Sequence, residues 1–166
     1  MKSPIDILQL TRDECHRQLN SLIAISAEET GFAWTAEHLL HDMPDKWTLS
    51  AIARDAQRRV VGFQITSRAP GHPHLHRIMV TDAQRSAGVG ARLMAWLCRT
   101  CVTRNWAPLT LKVHASNYGA VRFYERLSFT MHETGRIDTG LNAPLLEAIA
   151  DPAAVLRILE EKDLAE

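Results

Sequence analysis

His74-Leu75-His76-Arg77-Ile78-Met79-Val80, running on to Arg85-Ser86-Ala87-Gly88-Val89-Gly90, decides how the chain is read. A β-favouring apolar run ends in a glycine-bearing turn, and the turn opens an amphipathic pattern with Val89, Leu93, Trp96, Leu97 and Cys101 at helical spacing. Strand, turn and helix in that order leave the first amides of the helix without internal partners, which makes a cradle for an anion such as a pyrophosphate. Two histidines two residues apart lie just upstream. The segment therefore predicts a phosphate-bearing ligand with a titratable pair beside it.

Upstream of this segment, residues 4–10 read as a short strand. Thr11 and Glu14 have capping-box spacing ahead of a helix reaching about Ile25, and a shorter helix is predicted over residues 35–42. Residues 47–54 and 59–67 form a hairpin pattern around the polar turn Asp55-Ala56-Gln57-Arg58. Pro73 starts the next strand at His74. Downstream, Pro108 precedes a strand over residues 109–114, Asn117 caps a helix carrying Tyr124, and residues 129–137 read as strand. Residues 145–150 fit a strand or a helix start, and Asp151-Pro152 opens a terminal helix. Three antiparallel strands followed by strand–helix–strand predict an α/β (mixed α+β) fold. Its central sheet is mixed and mostly antiparallel, with helices on both faces.

The chain has 166 residues, 46% hydrophobic and 23% charged, which fits a single ordered domain. Nineteen basic residues balance nineteen acidic ones, so there is no broad attraction for nucleic acid or anionic membrane. No apolar run reaches the length of a membrane span. Three cysteines, Cys15, Cys98 and Cys101, make no even disulfide framework, and no secretory signal is evident, so a reducing cytoplasm is expected.

The element order and Arg85-x-x-Gly88-x-Gly90 resemble the GNAT superfamily of acyl-CoA-dependent N-acyltransferases. A second segment follows that family's pattern at the right distance: Asn117-Tyr118-Gly119-Ala120-Val121-Arg122-Phe123-Tyr124-Glu125-Arg126-Leu127-Ser128-Phe129. The two cover about residues 74–130. Ser86, Ala87 and Ser128 depart from it, replacing a glycine, a basic or polar residue and a glycine. A dinucleotide-binding fingerprint is the competing pattern, but it needs glycine or alanine where Leu93 stands.

The resemblance implies acetyl-CoA as acyl donor, with Arg85, Ser86, Ala87, Gly88, Val89, Gly90 and Ala91 around its pyrophosphate. It implies Asn117 and the backbone of Met79 and Val80 along the pantetheine, the Val80 amide serving as oxyanion donor. Tyr124 is implied as the acid that protonates the departing thiolate; a core aromatic on its helix is the alternative. His74-x-His76 resembles the arylalkylamine branch, whose strand histidines help deprotonate the amine. Only about one ammonium in a thousand is unprotonated at neutral pH, so a base is useful. A pair of structural histidines fits the same residues, and period two places Ile78 and Val80 on their face.

A metal site on His72, His74 and His76 is disfavoured by Pro73 and by the lack of a fourth ligand nearby. Cys98-x-x-Cys101 reads as helix packing. Glu28, Glu29, Phe32 and Trp34 fall where the family builds its acceptor wall. The expected function is acetyl transfer to a primary amine, a small molecule favoured, by direct attack in a ternary complex. A protein or peptide N-acetyltransferase and a non-catalytic CoA-binding module are the alternatives. An edge strand makes a homodimer possible, with no metal, nucleic-acid or membrane partner.

Overall fold

The computed structural model describes residues 4–28, 33–85, 87–138 and 143–165. Its strands are β1 (Asp6–Gln9), β2 (Ala51–Arg54), β3 (Val60–Ser67), β4 (His74–Val80), β5 (Leu109–His114), β6 (Thr130–Asp138) and β7 (Ala143–Ala150). They form one sheet in the order β1-β2-β3-β4-β5-β7-β6. All neighbours are antiparallel except β4 and β5. The helices are α1 (Arg12–Arg17), α2 (Leu19–Ala27), α3 (Ala36–Leu40), α4 (Lys46–Leu49), α5 (Val89–Arg104), α6 (Tyr118–Arg126) and α7 (Pro152–Ala165). One face of the sheet packs Ile52, Phe63, Ile65 and Met79 against Leu22, Ile25 and Leu39 of the early helices. The other packs Leu75, Leu109 and Leu111 against Met94, Leu97 and Cys98 of α5 and Val155 of α7.

The strands at His74 and Leu109 begin and end as the sequence predicts, and residues 143–150 resolve as strand. Three expectations are corrected. The helix after Thr11 is broken at Gln18, whose φ of −100° and ψ of 12° close α1 before α2 begins. Thr11 caps the Glu14 amide, but the Glu14 carboxylate turns to Arg17, Gln18 and Arg54 instead of completing the box. Trp47 is helical, not part of a strand. The Lys46 ammonium is buried and donates to the carbonyls of Leu39 and His41 at 2.6 Å each, which pins α4 under α3.

The third correction concerns β4. Ile65 pairs with Arg77 but Thr66 pairs with Leu75, so a bulge at His76 interrupts the alternation. His74, His76, Arg77 and Met79 consequently face the α2 side: they contact Thr110, Ser67, Ser26 and the early-helix core respectively. Leu75, Ile78 and Val80 face α5. Ile78 and Val80 therefore do not share the histidines' face.

Candidate active site

β4 and β5 pair only at His74–Thr110 and Leu75–Leu111. Beyond those two rungs they diverge, and a cleft of about 930 Å³ opens between them. Residues 75–78 and Val80 line one side, and residues 111–114 the other. Gln84, Arg85 and residues 88–91 close the α5 end, while Asn117, Ala120, Phe123 and Tyr124 come from α6 and its cap. Trp34 and Leu145 complete the wall.

The register of β3 and β4 shows which main-chain groups face this cleft. The Thr81 amide donates to the Val61 carbonyl at 2.9 Å, and antiparallel bonding alternates along the strand. Phe63 and Met79 are thus a bonded pair, and the main-chain groups of Met79 are spent on β3. The amides and carbonyls of Ile78 and Val80 point the other way, to the side that β5 has left. Met79 also buries its side chain in the early-helix core, so it does not line the cleft.

At the mouth, a single 3-10 turn (Asp82–Gln84) leads to Arg85, and Gly88 stands at the N-cap of α5 with φ +81°. That left-handed backbone suits glycine, and nothing lies within 4 Å of where a Cβ would be. Arg85 is held by Asp82 at 3.0 Å. Val89, Gly90 and Ala91 line the cleft, Ala87 is exposed beside it, and Ser86 lies outside the described residues.

Tyr124 is buried against Phe123 and Phe129 in edge-to-face contacts, with centroids 5.3 and 5.4 Å apart, and still lines the cleft. Asn117 accepts the Ala120 amide at 3.3 Å, capping α6 while lining the cleft. His76 lines it too, with Nε2 2.7 Å from the Ser67 hydroxyl. His74 lies behind, its Nδ1 2.7 Å from Thr110 Oγ1, which also sits 3.1 Å from His72 Nε2. The two rings meet edge-on at 4.9 Å. Burial, then the neighbouring His74 and Lys46, pushes His76 down to about 4. Burial, Lys112 and His72 lower His74, against a raising effect of Glu147. Both rings are therefore neutral at pH 7.

Sequence reasoning missed Ile78, whose main chain faces the cleft, and Arg77, which donates to the Ser26 carbonyl at 3.2 Å and stacks 5.5 Å from the Trp34 ring. The bulge hid Arg77, and the direction of the Ile78 main chain follows from the β3–β4 register, which no residue at this position announces. Glu28 accepts the Asp82 amide at 2.9 Å, whereas Glu29 and Phe32 lie outside the described residues. Cys98 and Cys101 are buried in the core, and burial raises both thiols, Cys101 to about 12. No cluster of metal-ligating side chains occurs among the described residues.

A splayed strand pair, a glycine-capped helix at its end and a tyrosine from the next helix meet in one cleft. The family model described as an acetyltransferase (GNAT) domain matches residues 23–144. The chain belongs to the GNAT acetyltransferase family. It is an acyltransferase. Among solved structures, the ribosomal-protein-S18-alanine N-acetyltransferase of Escherichia coli superposes with a TM-score of 0.73 at 21% identity, covering 88% of this chain and 92% of that one. Ard1 of Thermoplasma volcanium gives 0.73 at 22%, covering 88% and 97%. The PaiA N-acetyltransferase of Thermoplasma acidophilum, in complex with coenzyme A, gives 0.65 at 17%, covering 87% and 98%. These identities establish a shared GNAT fold and leave the acceptor open. No curated protein matches the chain significantly. No helix among the described residues is long and apolar enough to cross a membrane.

Proposed function

We propose that this enzyme acetylates the primary amine of a small molecule by direct attack in a ternary complex. The observation that carries the reading is the two-rung β4–β5 seam, which opens into a cleft holding Gly88 at one end and Tyr124 on its flank. In this reading residues 85–91 hold the pyrophosphate. The pantetheine amides pair with main chain of β4 where β5 is absent, at Val80 and, from the register, Ile78; Asn117 supports the arm from α6. Bound acetyl-CoA supplies a thioester carbonyl.

The amine nitrogen forms the new bond to that carbon, the C–S bond breaks, and Tyr124 gives its proton to the departing thiolate. The His74–His76 pair assists removal of the amine's proton. The Val80 amide serves as oxyanion donor. Three free, buried cysteines support a cytoplasmic setting.

Release of free thiol from acetyl-CoA across a panel of small amines and short peptides tests the reading. Tyr124→Phe is expected to lower kcat by about 10²-fold or less while acetyl-CoA binding by calorimetry is retained. Wild-type protein that does not bind acetyl-CoA, or a Phe variant with unchanged turnover, would refute it. Turnover confined to peptides would make the acceptor a protein N-terminus, and binding without turnover on any acceptor would leave a CoA-binding module.

A further inference from the structure

We propose that His76 enters the reaction as a fixed neutral hydrogen-bond donor, presenting Nδ1–H to an acceptor atom of the substrate in the cleft, and does not remove the amine's proton. The role rests on the acetyl-transfer reading; the tautomer does not.

The tautomer follows from the hydroxyl of Ser67. This side chain is completely buried, and its Oγ has two partners among the described residues: the Ala69 amide at 3.3 Å and His76 Nε2 at 2.7 Å. The Ala69 amide can only donate. Were Nε2 also to donate, Oγ would accept twice and its own proton would point into the protein interior with no acceptor. That leaves a buried donor unsatisfied. With Ser67 donating to Nε2, both hydroxyl functions are used. A neutral imidazole that accepts at Nε2 carries its hydrogen on Nδ1.

Nδ1 is the remaining polar atom of the ring, and no other hydrogen bond to His76 forms among the described residues. The ring lines the cleft, on the face it shares with His74 and Arg77. The groups facing it are His74 on its own strand, Lys46 from α4 and Lys112 from β5. None of them favours a second proton on the ring. A neutral N–H facing an acceptor in the cleft donates to it, and more strongly as negative charge develops there, without surrendering its proton. His74 is placed differently. It lies behind the cleft lining, and Thr110 links its Nδ1 to His72.

Two-bond ¹⁵N–¹H spectra of protein labelled at histidine nitrogen read the tautomer directly, with His76 assigned by its loss in His76→Asn. The expected pattern is protonated Nδ1 and unprotonated Nε2 at pH 7, unchanged when CoA is added and replaced by a mixture in Ser67→Ala. In turnover, asparagine places its amide nitrogen near Nδ1, and glutamine near Nε2. His76→Asn should keep kcat within about tenfold, while His76→Gln falls by about 10²-fold or more with a KM for acetyl-CoA near the original.

A protonated Nε2, a Gln variant equal to or better than Asn, or an ionisation between pH 6 and 8 in kcat/KM that both variants remove would overturn the proposal. Should the variants fail to fold, the wild-type spectrum decides. Wild-type protein that binds no acetyl-CoA would remove the transfer reading and the role together, while the tautomer measurement would stand.

Discussion

Gly88 and Gly62 are both small for a reason, and the reasons differ. Gly88 has open space around it but a φ of +81°, so Gly88→Ala strains the backbone without a clash. That costs about 1–2 kcal/mol and tilts the first amides of α5. The expected result is roughly tenfold weaker acetyl-CoA binding by calorimetry, with a small change in Tm. At Gly62, on β3, a Cβ would sit 2.9 Å from the Met79 carbonyl and 3.3 Å from Val89, where the first turn of α5 rests on the sheet. Gly62→Ala should lower stability by about 1–3 kcal/mol, read by denaturant unfolding, and disturb the cradle only indirectly. Gly88 was legible in the sequence because its motif is local. Gly62 was not, since its neighbour arrives from 27 positions later in the chain.

His76 also carries a stability consequence. In the unfolded chain its imidazole titrates near 6.5, and in the fold near 4. Between those values the unfolded chain holds more protons, so stability falls as pH drops from about 6.5 to about 4 and is unaffected above that window. The loss is at most about 3 kcal/mol, and lowered His74 acts in the same direction. Melting temperatures from pH 7 to 4.5 check this, and His76→Asn should flatten the decline.

At the scale of elements, a buried cation fixes α4 against the end of α3. Lys46 satisfies the carbonyls at the end of α3, where the backbone would otherwise be left unpaired in the interior. Lys46→Met keeps the stem and removes the donor, so it should cost about 1–3 kcal/mol in urea unfolding. This contact explains why residues 46–49 are helical although Trp47 and Thr48 favour strand: tertiary bonding outweighs local propensity. The break at Gln18 has the same character, with Glu14 drawn away to Arg54 on a distant strand. By contrast β4, β5, α5 and α6 were readable almost to the residue, because proline, glycine and asparagine punctuate them. The two motifs of the cleft lie on those elements. The bulge that turns His76 and Arg77 to one face has no such marker, so period two misplaced their neighbours.

Across the whole molecule, acidic and basic residues cancel, and the sheet opens between β4 and β5. Strands β1 to β4 and β5 to β7 are two curled blankets stitched by two rungs. A ligand arm built from amides, laid along Ile78 and Val80, would serve as an eighth strand for a short distance and darn that tear. Their amide hydrogens should exchange with solvent readily in the bare enzyme and slow several-fold once the arm is seated. Exchange at these two positions then reports donor occupancy before any acceptor has been found.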